Sequence, residues 1–318
     1  MSIISCNIDR AVEILSNEDV VAIPTETVYG LAGNIFSEKA IRKIFEVKQR
    51  PLFNPLIVHL HSYDQLNEIV TEIPPKAALL AQSFWPGSLT LVLKKNPLVP
   101  DLITAGKDTV AIRIPSHSVT LDLLKKLSFP IAAPSANPFN RISPTKAEHV
   151  ANYFQNQIQM VLDGGECKNG LESTIIGFEN DEPVVYRLGA IPTEDIEKIV
   201  GEVRLKNELK DAPKAPGMLA KHYSPKTKTC ITDDFEQFIQ DYQNLAVGVL
   251  SFSETIKAAN IKHLSILSAT SDFEEAASKL YSELHFLDSL ELDLIVAIRL
   301  PNIGLGKTIN DRLERAAK

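Results

Sequence analysis

The sequence has few cysteines and no long apolar run. The three cysteines, Cys6, Cys167 and Cys230, are odd in number and far apart, which favours reduced thiols over a disulfide framework. Uninterrupted apolar runs reach only the length of Leu294 to Ile298, far short of the roughly 20 residues that cross a bilayer. The first ten residues lack the basic flank and apolar stretch of a signal peptide. These absences predict a cytoplasmic protein without a membrane span.

Several familiar catalytic patterns are also absent. Neither a GxSxG nucleophile elbow nor a GxGxxG loop occurs. The run GLGKT at residues 304–308 is not a P-loop, because Pro301 stands where that motif needs glycine. The histidines are scattered, and the close pair His59 and His61 has no cysteine near it. We therefore assign no protein-held metal site.

The remaining composition is that of an ordinary globular protein. Of 318 residues, 44% are hydrophobic and 23% are charged, which excludes collagenous, coiled-coil and disordered chains. The length predicts two domains. The net charge of -7 is uneven, because residues 1–228 carry 25 basic and 26 acidic side chains, whereas residues 229–318 carry 8 and 14. A polyanionic ligand should therefore prefer the first part of the chain.

Short β-rich runs alternate with helical patterns over residues 1–205, which predicts an α/β domain. Ser37 is the predicted N-cap of a helix over Glu38 to Lys48, and Ser143 followed by Pro144 predicts another helix start. The predicted strands are Val20–Ile23, Leu56–Leu60, Leu89–Leu93, Thr109–Ile114, Ile131–Ala133, Met160–Leu162, Thr174–Phe178 and Val184–Arg187.

The periodicity fails over residues 206–228, which are rich in proline, lysine and small residues. A connection of this length is either a lid over a binding site or a flexible tether. Residues 229–318 then contain four β-like runs, each followed by a helical pattern: Thr229–Thr232, Ala246–Phe252, Leu264–Leu267 and Leu292–Ile298. This order predicts a small, parallel, Rossmann-like α/β domain.

Polar residues follow the predicted strands of the first domain, where an open α/β sheet forms its ligand crevice. The run PTETVYGLAG (residues 24–33) follows one strand, and PSAN (134–137) with RISPTKAEH (141–149) follows another. A helix start in the second run would present free N–H groups to an anion. The most basic stretch runs from Lys39 to Arg50; it could also be a solvated helix face. Together these features favour a nucleotide or phosphorylated ligand.

Nine motifs in order resemble the long form of the threonylcarbamoyl-AMP synthases, the YrdC-like family. They are PTETVYGL, KQRPLFNPLIVH, WPGSLTLVL, DTVAIRIP, APSAN, SPTKAE, DGG, ESTI and APGML followed by KHY. The resemblance implies a twisted, open, mixed sheet with helices, plus the smaller C-terminal domain. It also implies condensation of L-threonine, bicarbonate and ATP, with Mg²⁺ bound to ATP, into threonylcarbamoyl-adenylate and pyrophosphate.

The product of that family supplies the modification of tRNA adenosine, so the resemblance implies a downstream tRNA threonylcarbamoyl transferase machinery as a partner. Direct tRNA binding is left open. Two other functions compete. A non-catalytic RNA-binding module would need a strongly basic footprint, which residues 1–228 lack. A carbamoyl-adenylate enzyme of the hydrogenase-maturation type would carry zinc-finger segments, yet no CxxC occurs.

The resemblance also implies the site residues. Lys48, Arg50, Ser135 and Asn137 are expected to hold the triphosphate and developing charge. Threonine is expected at Thr27, His59, Arg113, Ala133 and Ser173, with the Arg113 guanidinium on its carboxylate. Further ATP contacts are expected from Asn54, Thr109, Ser143 and Arg187. The lid is expected to include Pro216, Gly217, Met218, His222 and Tyr223.

Structural roles without ligand contact are alternatives to some of these assignments. Thr27 and Thr109 could be sheet-surface residues, His59 a core histidine, Arg113 a solvent-facing strand residue and Ser173 a turn cap. We also expect Lys48 and Arg50 to lie at an exposed helix end.

Overall fold

A computed structural model describes residues 3–206 and 222–318. The strands are β1 Ile4–Ser5, β2 Val21–Ile23, β3 Gly30–Asn34, β4 Ile57–His59, β5 Leu89–Lys94, β6 Thr109–Arg113, β7 Ile131–Ala132, β8 Val161–Leu162, β9 Thr174–Glu179, β10 Glu182–Arg187, β11 Arg204–Leu205, β12 Thr229–Thr232, β13 Val247–Ser251, β14 Ile261–Ile266 and β15 Leu294–Ile298.

The helices are α1 Ile8–Ser16, α2 Glu38–Lys48, α3 Leu66–Ile69, α4 Pro75–Phe84, α5 Asp101–Thr104, α6 Ser118–Lys126, α7 Ala147–Phe154, α8 Thr193–Val200, α9 Phe235–Gln240, α10 Phe273–Ser289 and α11 Leu305–Ala316, with a 3-10 turn at Tyr63–Gln65. Among the described residues, none of these helices has the length and apolarity needed to span a membrane.

The first sheet is mixed, as the fold prediction requires. Its described strands lie in the order β1-β8-β2-β3-β7-β4-β6-β5-β9-β10-β11. β4 runs parallel to β6, whereas β5 is antiparallel to β6 and parallel to β9. The eight predicted strands of this region form within one or two residues of their expected bounds.

Strand β3 forms where the sequence predicts no strand. It covers Gly30–Asn34, begins inside the run PTETVYGLAG and pairs with β2 and β7. A Cβ on Gly30 would lie 3.1 Å from the Cβ of Ala133. Glycine therefore permits the close approach of the segment that follows β7. The same glycines weaken the alternating pattern by which a strand is recognised.

The second sheet is parallel, in the order β12-β15-β13-β14. The prediction of a helix after each strand is wrong at one position. Residues 252–260 join β13 to β14 and contain no helix. A parallel crossover usually needs a dozen or more residues when it carries a helix, and this connection is shorter.

Helix α2 begins as predicted, because the Ser37 hydroxyl accepts a hydrogen bond from the Ala40 amide at 3.2 Å. The predicted helix start at Ser143 is wrong, since α7 begins at Ala147 with Lys146 as its N-cap. The Ser143 hydroxyl instead donates to the Glu172 carboxylate at 2.7 Å. A buried carboxylate without hydrogen-bond donors is costly, whereas the N–H groups at a helix end near solvent can bond to water.

The two sheets share apolar packing. Val28, Ile142 and Leu171 belong to the same buried cluster as side chains of α10 and α11, among them Leu284 and Leu313. The second sheet and its helices are therefore packed directly against the segments that surround the site.

Candidate active site

A cavity lies where the loop after β2, the ends of several central strands and the segment after β7 meet. His59 and Arg113, the last residues of β4 and β6, are register partners in the sheet. The cavity is lined by Thr25, Thr27, Val28, Gly30, Arg50, Ile57, His59, Arg113, Ala133, Pro134, Ser135, Glu172, Ser173, Arg187, His222 and Tyr223.

The cavity is lined by residues at the starts of strands as well as at their carboxyl ends. Ser173 immediately precedes β9, whereas Arg113 ends β6. β6 is antiparallel to β5, and β5 is parallel to β9. Because the sheet is mixed, the start of β9 lies beside the end of β6, and both kinds of strand end contribute to the cavity.

Lys48 and Arg50 are buried, with exposures of 1% and 7%, so the expected exposed helix end is wrong. Gln49 has a left-handed backbone, φ 52°, and ends α2 between them. Lys48 Nζ donates to the carbonyl oxygens of Ser135 and Asn137 at 2.5 Å each. Both cations are thus directed inward and not into solvent.

Neither cation has an acidic partner within the described residues. Arg50 donates to the carbonyl oxygens of Asn54 at 3.3 Å and Pro55 at 2.9 Å. Burial lowers the pKa of Lys48 well below its usual range, and burial together with Arg187 lowers the pKa of Arg50 to about 9. Buried positive charge without a countercharge is costly, and an anionic ligand would compensate it.

Several buried polar atoms beside these cations have no hydrogen-bond partner in the described structure. They are both amide atoms of Asn54, Oδ1 of Asn137, Nδ1 of His222 and the hydroxyl of Tyr223. An unsatisfied buried polar group costs roughly 1–3 kcal/mol. A polar ligand in the cavity would supply partners for His222 and Tyr223, which line it.

Arg187 and Ser173 form a second polar group on the wall. Arg187 Nη2 donates to the carbonyl and hydroxyl oxygens of Ser173 at 2.8 and 3.1 Å. The Ser173 hydroxyl also lies 2.7 Å from that of Thr90. Ser173 is therefore fixed in a hydrogen-bonded network and is not a simple turn cap.

Arg113 is buried, so the solvent-facing alternative is wrong. Its guanidinium donates to Glu26 at 2.7 Å, to the Thr27 hydroxyl at 2.8 Å and to the Gly87 carbonyl at 3.1 Å. Burial opposes ionisation of Glu26, but the charge of Arg113 outweighs it and lowers the pKa of that carboxyl. Glu26 thus orients Arg113, with Thr27 held beside the guanidinium.

His59 is a buried, neutral histidine on the cavity wall. Its Nδ1 lies 3.1 Å from the carbonyl oxygen of Ile57. Burial, and after it the charge of Arg113, lowers its pKa to about 3. The ring therefore carries no charge at neutral pH and can serve as a hydrogen-bonding wall.

Glu172 is a site residue that the sequence did not single out. Its carboxylate accepts hydrogen bonds from the Ser143 hydroxyl at 2.7 Å, the Tyr281 hydroxyl at 3.0 Å and Arg312 Nε at 3.0 Å. Burial opposes ionisation, but Arg312 and Arg187 outweigh it and lower the pKa of Glu172. These partners are 29, 109 and 140 residues away in sequence, so no local pattern identifies them.

Thr109 is not among the residues that line the cavity. It begins β6, four residues before Arg113, which places it about 13 Å away along the strand. It lies instead in a surface depression with Lys94 and Phe178. The interpretation of Thr109 as a sheet-surface residue fits this position better than an ATP contact.

The predicted basic stretch divides into two parts. Arg42 pairs with Glu38 at 2.6 Å, and Lys43 pairs with Asp19 at 2.5 Å. These side chains, with Lys39, border a surface depression that is separate from the cavity. Of this stretch, Arg50 lines the cavity, and Lys48 borders it through its hydrogen bond to the Ser135 carbonyl oxygen.

The predicted anion-binding loop at residues 141–146 is an interface with α10. Arg141 pairs with Asp288 at 3.2 Å, and His285 Nε2 lies 3.2 Å from the Ser143 carbonyl oxygen. The amide of Thr145 donates to His149 Nδ1 at 3.3 Å. Of the backbone N–H groups expected to face an anion, that of Thr145 is therefore occupied by a side chain.

His222 and Tyr223 line the cavity and are both buried. The His222 ring lies edge-on to Phe139 with centroids 6.4 Å apart. Burial raises the pKa of Tyr223, and burial lowers that of His222 well below its usual range. The expected lid residues Pro216, Gly217 and Met218 lie outside the described residues.

Within residues 3–206 and 222–318, no three His, Cys, Asp or Glu side chains cluster in a way that could hold a metal ion. Glu172, a carboxylate on the cavity wall, is already hydrogen-bonded by three side chains.

Comparison with protein families gives two adjacent matches. Residues 13–189 match the model described as "Telomere recombination", which is named for Sua5, YciO and YrdC. Residues 191–318 match the model described as "Threonylcarbamoyl-AMP synthase, C-terminal domain".

Curated relatives match nearly the whole chain. The threonylcarbamoyl-AMP synthase of Pyrococcus abyssi is 40% identical over 94% of this chain and 90% of its own length. That of Bacillus subtilis is 40% identical over 98% and 92%. The crystal structure of P. abyssi Sua5 complexed with L-threonine superimposes with a TM-score of 0.91, covering 98% of this chain and 94% of that one.

Proposed function

The chain belongs to the threonylcarbamoyl-AMP synthase family, and we propose that its cavity forms L-threonylcarbamoyladenylate from L-threonine, bicarbonate and ATP with release of pyrophosphate. The supporting observation is the combination of two polar subsites at one cavity. Lys48 and Arg50 supply buried positive charge without an acidic partner among the described residues. Thr27, Arg113 and Ser173 supply a hydrogen-bonding surface beside it.

Threonine is proposed to bind between Arg113 and Ser173. Glu26 uses one side of the Arg113 guanidinium, and the five N–H donors of arginine leave others for a carboxylate. The hydroxyls of Thr27 and Ser173 are held in place by their neighbours. The solved relative complexed with L-threonine supports threonine as a substrate of this cavity.

The triphosphate is proposed to bind near Lys48, Arg50 and Arg187. In the reaction, the amine of threonine first forms a carbamate with carbon dioxide or bicarbonate. A carbamate oxygen then bonds to the α-phosphorus of ATP while the bond from that phosphorus to pyrophosphate breaks. Fixed cations stabilise the charge that develops on the phosphoryl oxygens, so no protein nucleophile is required.

Mg²⁺ is proposed to enter with ATP. This ion usually keeps several waters and is bound through substrate phosphates, which suits a cavity whose carboxylate Glu172 is already occupied by protein donors. The role of the chain would be to bind and orient the phosphates.

The biological setting follows from this product as a proposal. A mixed anhydride of a carbamate and AMP is an activated donor, so a tRNA threonylcarbamoyl transferase machinery would consume it. The free thiols of Cys6, Cys167 and Cys230 support a cytoplasmic location. We also propose the division into a catalytic domain over 1–205, a linker over 206–228 and a C-terminal domain over 229–318.

The test is pyrophosphate release from ATP, measured with threonine and bicarbonate together and with each omitted, and identification of the adenylate by mass spectrometry. We expect release to require both. Replacing L-threonine by L-valine, which has the same shape without the hydroxyl, serves as the specificity control. Release that is independent of threonine would contradict the proposal.

A further inference from the structure

Arg312 is the largest of the fully buried side chains among the described residues, with an exposure of 0%. It lies on α11, in the second unit (residues 229–318), where Nη1 pairs with the adjacent Asp311. Its other two nitrogens reach the first unit (residues 1–205). Nε donates to Glu172 at 3.0 Å, and Nη2 donates to the carbonyl oxygen of Leu188 at 2.6 Å. One guanidinium therefore joins two backbone segments that border the cavity.

The same guanidinium contacts a second cavity residue. Its central carbon lies 4.9 Å from the ring centroid of Tyr223, in a cation–π arrangement. The Tyr223 ring is also stacked with that of Tyr281, with centroids 5.7 Å apart. Tyr281 also donates to Glu172 at 3.0 Å. Two side chains of the second unit thus hold both Glu172 and Tyr223.

We propose that Arg312 is a positioning residue for the reaction, through which the C-terminal unit fixes Glu172 and Tyr223 around the cavity. This inference rests on the proposed function. The site is accordingly incomplete without helix α11, although α11 supplies no residue to the cavity wall itself.

A purely structural ion pair is the competing explanation. Buried ion pairs are often no more stabilising than well-packed apolar residues of similar volume, so stability alone does not require an arginine here. Lysine would also provide the charge. Only the planar fork of arginine can donate to Glu172 and Leu188 while its face lies over Tyr223.

The experiment compares Arg312→Met, Arg312→Lys and Glu172→Gln with Lys307→Met as the matched control. Lys307 is also on α11 and also pairs across to the first unit, with Glu194 at 2.8 Å, but it lies away from the cavity. For each variant we would measure the melting temperature, kcat and KM for threonine and for ATP, and the pH profile of kcat/KM.

We expect Arg312→Met to lower kcat/KM for threonine by a factor on the order of ten to a hundred, because small displacements of positioning groups have effects of this size. Lys307→Met should change it by about twofold or less, as expected for a partly exposed pair. Arg312→Lys should have a melting temperature close to that of the wild type, but its kcat/KM should remain as low as that of Arg312→Met.

The pH profile provides a readout that a structural role would not move. Arg312 helps to lower the pKa of Glu172, so without it the acid limb of the profile should shift toward neutral pH. The shift should be absent in the double variant Arg312→Met with Glu172→Gln. If Arg312→Met does not fold, Arg312→Lys still tests the positioning role through kcat/KM, because lysine keeps the charge but not the planar fork.

The two hypotheses fail in different ways. A wild-type protein that releases no threonine-dependent pyrophosphate contradicts the proposed function. An active wild type whose Arg312→Met and Arg312→Lys variants match Lys307→Met in kinetics and pH profile contradicts the positioning role alone.

Discussion

At the scale of single residues, replacing a buried cation should lower activity without lowering stability. Lys48→Met should reduce turnover by a factor on the order of a hundred or more, because one lost charge donor at a transferring phosphoryl group costs roughly 3 kcal/mol. The melting temperature without ligand should hold or rise, since a buried amine without a countercharge is replaced by an apolar side chain of similar length.

The measurements are turnover at saturating ATP and thermal unfolding. Lys39→Met is the control, because Lys39 is exposed on the same helix. If Lys48→Met kept wild-type turnover, Lys48 would have no role at the phosphates.

Arg113 should behave differently, because it has a carboxylate partner. Arg113→Met should raise KM for threonine and also lower the melting temperature, since it leaves the Glu26 charge buried and unpaired. The double variant with Glu26→Gln should recover the melting temperature but not threonine binding. Full recovery of threonine binding in the double variant would show that Arg113 acts only as the partner of Glu26.

The site residues show what sequence can identify. Short motifs contain Lys48, Arg50, Thr27 and Ser173, and the cavity includes or borders all four. Motif membership did not reveal that Lys48 is buried, because its burial depends on contacts with the distant segment after β7. Thr109 shares a motif with Arg113 but lies at the other end of its strand. Glu172 was missed because its partners are distant in sequence.

At the scale of elements, the contact between α7 and α10 should respond to acid. His149 and His285 are stacked with centroids 3.9 Å apart, near Lys146, Glu166, Arg141 and Asp288. Burial, with Lys146, lowers the pKa of His149 to about 4, and burial, with His149, lowers that of His285 to about 3. Both rings are neutral in the folded protein at pH 7.

The sign follows from these pKa values. In the unfolded chain both rings titrate near 6.5, so the unfolded state binds more protons as the pH falls below that value. The stability that these neutral rings provide is therefore lost progressively between about pH 6.5 and 4. Thermal unfolding across this range should show a smaller decrease for His149→Gln with His285→Gln than for the wild type. An equal decrease in both would show that other groups control acid stability.

Helix starts were predictable where the N-cap hydrogen bond is made within the same turn of the chain. Ser37 caps α2 because its hydroxyl reaches Ala40 within one turn. Ser143 has the same local signal, but a buried carboxylate 29 residues away takes its hydroxyl. β3 was not predicted, because its glycines allow a close approach between segments and interrupt the alternation of apolar and polar residues that marks a strand.

At the scale of the whole molecule, the shared apolar cluster should make the two units unfold together. Val28, Ile142 and Leu171 pack with residues of α10 and α11, so melting either unit exposes apolar surface of the other. Calorimetry should give one cooperative transition, and threonine with ATP should raise its midpoint. Two resolved transitions, with only one shifted by ligand, would contradict this coupling.

The distance in sequence between Glu172 and Arg312 also determines when their contact can form during protein synthesis. The two residues are 140 positions apart, and ribosomes add roughly 5–20 residues per second. Arg312, which pairs with Glu172, is therefore synthesised about 7 to 30 s after Glu172. Over that interval the nascent first unit carries a carboxyl group that burial would disfavour in its ionised form, so the cavity is completed only after α11 has been synthesised.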